Sequence, residues 1–313
     1  MMPIFYMLVG LPGSGKSYHA QRLKAIFEEA HNKELHIHSS DAIREELFSD
    51  VNNQQNNTDV FNLLHKRIKE DLLAGVSVVY DATNTSYKRR KAFLEELKKI
   101  ECMKVCNFIA TPYEVCLEQN NSRERKVPED VIDRMYRNFD VPYYFEGWDK
   151  INVIYLRDSY KNTYGTCGEF VYDTCDFNQD NSHHLSTLGN HCLQAYNFLK
   201  ETTHRDVSIV AEAAMIHDNG KPYCKTFIDS KGRDSKDAHY YKHEHVGSYN
   251  SLFYETSAES DEERLLISFL IRWHMQMYFI DKQPHTRHKY LNMFGYKNFF
   301  YLELLNRADR EAH

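Results

Sequence analysis

The chain has 313 residues, a formal charge of −6, 42% hydrophobic and 27% charged residues. That balance fits a soluble globular protein of two ordinary domains, and it excludes a uniformly basic nucleic-acid coat while leaving room for a local basic strip. Seven cysteines with no C-x-x-C pair argue against a zinc ribbon or a disulfide framework and point to a reducing, cytoplasmic setting.

In chain order, the opening "MMPIFYMLVG" is a short apolar run that leads straight into a glycine-rich loop, so it reads as a buried first strand and not as a signal peptide. No apolar run reaches the roughly 18 residues that a bilayer span needs. "ELHIHSSD" is a second strand candidate, ending near Asp41; "VSVVYDATN", "KVCNFIA" and "NVIYL" are the third, fourth and fifth. Helical segments separate them, which predicts βαβ units, a parallel sheet and ligands beyond the carboxyl ends of the strands. Residues 161–180 are mixed and polar and read as a linker or short hairpin. Beyond them "HCLQAYNFLKE", "VSIVAEAAMIHD", "DEERLLISFLIRWHMQ" and "FFYLELLNRADREA" carry helical patterns without a convincing strand. The expected division is an α/β domain over 1–160, a linker, and an all-α domain over 181–313.

Two constellations carry chemistry. "GLPGSGKS" at 10–17 satisfies G-x-x-x-x-G-K-[ST] between a strand and a helix. Gly10, Gly13, Ser14, Gly15, Lys16 and Ser17 are thereby expected to hold the phosphates of ATP, with Lys16 on the β/γ oxygens and Ser17 on Mg²⁺. "SSDAIREEL" places Asp41 and Arg44 three apart in the first turn of a helix. A carboxylate there can take a proton from an acceptor hydroxyl while the arginine holds an acceptor phosphate; the plainer use is a helix cap at Ser40 or Asp41. "YDATNTSYKRR" supplies Asp81, Thr83 and Asn84, with Lys88, Arg89 and Arg90 on the next helix. Arg123, Arg125 and Lys126 lie on a segment suited to close over a transferring phosphate.

Together "GLPGSGKS", "SSDAIR", "DATNTSYKRR" and "RERKVPEDVIDRMY" resemble the polynucleotide 5′-kinase family over residues 8–150. The resemblance implies that Asp41 is the general base toward a 5′-OH and that Arg44 contacts the acceptor phosphate. Asp81, Thr83, Asn84 and Arg125 would support the acceptor side, and Arg123 would be a lid arginine. Gln119 stands where the family often has arginine, which shifts the lid's role onto Arg123, Arg125 and Lys126.

The second constellation begins at "MIHDNGKPYC". His217 and Asp218 follow an apolar helical run that Gly220 and Pro222 can stop, and His191, His243, His274 and Asp309 lie in other helical contexts. Imidazole with carboxylate suits Mn, Fe, Co, Ni or Zn. The order H…HD…H…H…D resembles the two-metal variety of the HD phosphohydrolase superfamily over about residues 180–313. By that resemblance His191, His217, Asp218 and Asp309 hold one metal, while Asp218, His243 and His274 hold a second with Asp218 bridging. Lys221 would stabilise charge that develops at phosphorus. His183, His184 and His245 are weaker candidates. A kinase half and a phosphohydrolase half imply end healing of nucleic acid: phosphorylation of 5′-OH ends and removal of 3′-phosphate or 2′,3′-cyclic phosphate, with a separate ligase as the natural partner. The competing readings are a nucleoside kinase fused to a nucleotidase, and a signalling hydrolase with a P-loop regulatory domain.

Overall fold

The computed structural model describes residues 2–51, 55–181, 186–202 and 207–312. Its contacts divide the chain into two units, Met1–Ile132 with Pro142–Leu156, and Asp133–Val141 with Arg157–His313. The second unit takes in a short piece of the first half, Asp133–Val141. His183 and His184 lie outside the described residues.

Unit 1 is built on five parallel strands, β1 (Ile4–Val9), β2 (Leu35–Ser39), β3 (Ser77–Asp81), β4 (Met103–Ile109) and β5 (Lys150–Ile154), in the order β2-β3-β1-β4-β5. All five coincide with or overlap the strand candidates read from the sequence. Near-continuous hydrophobic strands of this kind are what a sheet covered on both faces demands. Around them run α1 (Lys16–His31), α2 (Ser40–Phe48), α3 (Asn57–Leu73), α4 (Tyr87–Glu96), α5 (Tyr113–Asn121) and α6 (Glu129–Arg137), the last of which crosses into the second unit. Phe27 and Ala20 of α1 pack onto Leu8, Leu35 and Val79 of the sheet. Register sets Ser39 of β2 beside Asp81 of β3. The loops that follow β1, β2 and β3 therefore open at one end of the sheet, where parallel α/β folds bind ligands.

Unit 2 is mainly helical: α7 (Cys167–Asp173), α8 (Leu188–Thr202), α9 (Ser208–Met215), α10 (Lys221–Cys224), α11 (His243–Asn250), α12 (Asp261–Trp273), α13 (Gln276–Lys282), α14 (Arg287–Phe294) and α15 (Tyr296–Glu311). Two expectations fail here. The unit is not all-α, because β6 (Thr226–Ile228) and β7 (Asp234–His239) form an antiparallel hairpin. Its sequence, "TFIDSKGRDSKDAH", lacks the period-two apolar pattern that would have marked it. The turn is fixed by side-chain chemistry instead: Asp229 accepts backbone N–H bonds from Lys231 and Arg233 at 2.8 and 2.9 Å and pairs with the Arg233 guanidinium. The presumed linker also contains α7, whose start is set by a reciprocal cap between Thr166 and Glu169. No helix among the described residues is long and apolar enough to cross a membrane.

Candidate active sites

In unit 1 the loop between β1 and α1 is a backbone cradle. Gly13 has φ 87°, and a Cβ there would sit 2.2 Å from the Cys116 carbonyl oxygen, so both conformation and space require glycine. Lys16 Nζ donates to Leu11 O at 2.7 Å. Burial pushes its ammonium down to about 8, against the pull of Asp81, with Arg123 near enough to lower it further. Ser17 Oγ donates to Asp81 Oδ2 at 2.9 Å. Burial raises the Asp81 carboxyl, while Lys16 and Ser17 oppose the rise. A hydroxyl and a carboxylate presented side by side next to a phosphate loop are hard oxygen donors that fit Mg²⁺.

Asp81 therefore stands with the donor loop and not on the acceptor side where the family resemblance had put it. Thr83 and Asn84 also brace that loop: Gly10 N–H donates to Thr83 O at 3.1 Å, and Asn84 Nδ2 donates to Leu8 O at 2.8 Å. Asn84 has φ 49°, a left-handed conformation that asparagine tolerates better than most residues.

The Asp41–Arg44 pair forms in the first turn of α2. Its cap is Ser39, not Ser40 or Asp41, because the Ser39 hydroxyl accepts from the Asp41 and Ala42 N–H groups at 3.2 and 3.4 Å. Arg44 donates to Asp41 Oδ1 at 2.9 Å and to Asn57 Oδ1 at 2.8 Å, and its buried Nε has no hydrogen-bond partner among the described residues. Arg125 donates to Asp41 Oδ2 at 2.8 Å and to Val51 O at 3.1 Å. The carboxylate is thus gripped on both oxygens, with its side chain still 53% exposed. A residue that no motif marks, Asn120, is buried and ties down the far end of this basic segment by two 2.9 Å bonds to the Val127 backbone. Sequence reading misplaces Arg90. That side chain is buried against Glu146, at 2.8 and 2.6 Å, with a third bond to Asn84 O, and contributes nothing to a basic surface; Lys88 and Arg89 are exposed.

In unit 2 the six expected residues come together. His191 stands on α8, His217 and Asp218 on the turn between α9 and α10, His243 at the start of α11, His274 just past α12, and Asp309 near the end of α15. All six are buried. Gly220 makes the turn possible, since a Cβ there would lie 2.1 Å from the His243 carbonyl oxygen. Its φ is −79°, so close approach and not a left-handed helix stop is the reason for glycine.

Every one of the four histidines points its Nδ1 at a backbone carbonyl: Ala312 at 3.0 Å for His191, Ala214 at 2.7 Å for His217, Tyr240 at 2.8 Å for His243 and Ile271 at 2.7 Å for His274. A carbonyl only accepts, so each Nδ1 carries a proton and Nε2 is the ring atom left to face the cluster. The Nε2 atoms face one another, 3.2 Å apart for His191 and His217 and 3.3 Å apart for His243 and His274. Such a contact needs a proton or a metal ion between the two nitrogens. Asp218 divides its oxygens between the pairs: Oδ2 lies 3.4 Å from His217 and 3.7 Å from His191, and Oδ1 lies 3.4 Å from His243 and 3.7 Å from His274. Asp309 Oδ1 closes the first group at 3.1 and 3.4 Å from His191 and His217. Imidazole with carboxylate at this spacing fits one or two transition-metal ions.

The carboxylates favour positive charge at the cluster. Burial would push His217 down, yet Asp218, Cys192 and Asp309 hold it well above its ordinary value; burial and the neighbouring His243 push His274 down to about 4. Burial opposes charge on Asp218 and Asp309, but Lys221 with His217, and His191 with His217, keep them well below the usual carboxylate range. Lys221 Nζ sits 2.7 Å from both Asp218 Oδ2 and Gln179 Oε1. Tyr278 OH donates to Asp309 Oδ2 at 2.9 Å. Neither Gln179 nor Tyr278 was found from sequence, since a lone Gln or Tyr carries no motif. His245 belongs elsewhere: it is buried, with Nδ1 3.2 Å from Phe139 O and 3.4 Å from Asp140.

A family profile described as an AAA domain matches residues 5–142. The chain is 29% identical to the L-seryl-tRNA(Sec) kinase of Methanococcus maripaludis over 149 residues, 46% of this chain and 55% of the relative. It is 23% identical to Protein kti12 of Schizosaccharomyces pombe over 167 residues, 50% of this chain and 58% of that protein. The chain thus spans about half the length of the curated relatives it matches. A crystal structure of Chaetomium thermophilum Kti12 in complex with ADP-AlF3 is similar at 20% identity and a TM-score of 0.43, covering 49% of this chain and 90% of that one. With the motif and the sheet order, the family profile and the two curated relatives define the first unit as a P-loop, kinase-like α/β domain. The second unit is a helical body with a histidine–aspartate cluster.

Proposed function

We propose that the chain heals nucleic-acid ends, joining an ATP-dependent 5′-hydroxyl kinase in unit 1 to a metal-dependent HD-type phosphohydrolase in unit 2. One observation carries the second activity: paired imidazole Nε2 atoms at 3.2 and 3.3 Å, with Asp218 shared between the pairs. For the first, the support is a doubly gripped Asp41 in the same unit as a complete phosphate loop. The named tRNA substrate of the archaeal relative favours a hydroxyl attached to nucleic acid over one on a free metabolite.

In the kinase reaction Asp41 takes the proton of the acceptor hydroxyl as that oxygen bonds to the γ-phosphorus, and the bond to the bridging oxygen of ADP breaks. Arg44 holds the acceptor's phosphate. Lys16 and Arg123 meet the negative charge that spreads over the transferring oxygens. Ser17 and Asp81 would hold Mg²⁺. In unit 2, His191, His217 and Asp309 would hold one ion, His243 and His274 a second, and Asp218 both. Such ions supply Lewis acidity toward a phosphoryl oxygen. Lys221 adds positive charge beside the reacting phosphate, held in place by Gln179.

The test offers γ-labelled ATP in parallel to 5′-OH RNA and DNA oligonucleotides and to free nucleosides. Label on an oligonucleotide is the expected result. Transfer to nucleosides alone would replace this reading with a nucleoside kinase fused to a nucleotidase, and transfer to neither would favour the signalling hydrolase.

A further inference from the structure

We propose that His36, His38 and Asp71 form a separate transition-metal site on the outer strand of unit 1, independent of the cluster in unit 2. β2 is an edge strand. Side chains two apart on a strand share a face, so His36 and His38 project together toward α3, whose last turn carries Asp71. His36 Nδ1 and His38 Nε2 lie 2.8 and 2.7 Å from the same oxygen, Asp71 Oδ2. The rings stand at 80° to one another, so the two nitrogens approach that oxygen from different directions. Glu34 adds a second carboxylate, 3.3 Å from His36 Nε2.

All three donor atoms lie within 4.8 Å of one another. Metal bonds of about 2.0–2.2 Å to imidazole and carboxylate put donors roughly 3–3.5 Å apart, so displacements under about 1 Å convert the cluster into a tridentate site. The side chains of His36, His38 and Asp71 are 37, 14 and 23% exposed. An ion reaches them directly from solvent, and water completes its coordination. Two imidazoles with one carboxylate select Zn²⁺, Ni²⁺, Co²⁺ or Cu²⁺ over Mg²⁺ and Ca²⁺.

The location gives the ion a consequence. β2 runs directly into Ser39 and the turn that carries Asp41, while α3 begins at Asn57, which holds Arg44 at 2.8 Å. A metal that bridges β2 to α3 ties together the two elements that support the Asp41–Arg44 pair. Because metal binding is confined to the folded chain, it also raises the melting temperature.

The experiment uses the full, tag-free chain, stripped with chelator and titrated with Zn²⁺ under native mass spectrometry. Wild type is expected to bind one Zn²⁺ more than His36→Gln/His38→Gln, whatever the number held by unit 2. Asp71→Asn, which keeps a hydrogen-bond acceptor of the same shape, is expected to weaken that one site at least tenfold and to lose its share of the Zn²⁺-induced rise in melting temperature. Circular dichroism in chelator verifies that each variant is folded, and Asp71→Asn decides the matter alone if the double variant is not. Equal Zn²⁺ stoichiometry and affinity in wild type and a folded variant would overturn the proposal and leave a hydrogen-bonded His–Asp–His cluster.

Discussion

The two candidate sites are built in opposite ways. The phosphate loop is a feature of the backbone: eight consecutive residues, 10–17, whose glycines shape a cradle and whose side chains add one cation and two hydroxyls. The cluster of unit 2 is a feature of side chains, drawn from α8, the α9–α10 turn, α11, α12 and α15, with its backbone used only to fix each imidazole's tautomer. The first site is a local structure that the fold merely places at the end of the sheet. The second exists only when five parts of the chain have packed. Errors in reading should therefore fall on neighbours in the first case and on supporting contacts in the second, which is what the structure shows.

Changes at the two sites separate the two modes of construction. The largest effect is expected at Asp81, which keeps its shape but loses its charge in Asp81→Asn. Phosphoryl transfer from ATP should fall by about 10²–10³-fold, the loss typical when a fixed charge at the transferring group is removed. The melting temperature should stay near wild type. An unchanged kcat would return Asp81 to the acceptor side. A smaller effect is expected at Tyr278→Phe, which deletes the hydroxyl that orients Asp309. Supporting partners of metal ligands are worth about 10–100-fold in metal affinity, so the Mn²⁺ concentration for half-maximal release of 3′-phosphate should rise by that factor while transfer from ATP is unaltered. A fall in maximal rate without a shift in that concentration would mean that Tyr278 acts on packing and not on the metal site.

Much of this was legible in the sequence, for reasons that can be named. The inner strands β1, β3 and β4 are apolar runs because a sheet covered on both faces leaves no polar alternation, whereas β2 at the edge alternates Leu and Ile with His36 and His38. The six cluster residues are marked in the sequence by the order H…HD…H…H…D, through the resemblance that this order carries. What was not legible depended on tertiary partners. Arg90 sits in a run of basic residues that looks like a solvated face, and only its pairing with Glu146 shows that it points into the core. The cap at Ser39 was read one or two residues late because three candidate capping residues adjoin. The family resemblance puts Asp81 on the acceptor side, and only the tertiary bond from Ser17 at 2.9 Å shows its carboxylate beside the phosphate loop. The β6–β7 hairpin rests on Asp229 and a turn, neither of which leaves a hydrophobic period.

We propose that one chain carries two independent phosphate chemistries, one per unit. The most direct measurement uses a single oligonucleotide with a 5′-OH and a 3′-phosphate, incubated with ATP, Mg²⁺ and Mn²⁺, and read by mass spectrometry. Wild type should give the 5′-phosphate, 3′-OH product. Lys16→Ala should remove the 3′-phosphate but leave the 5′-OH, and Asp218→Ala should do the reverse. Joint loss of both conversions in either folded variant, or an oligonucleotide left untouched by wild type, would contradict it.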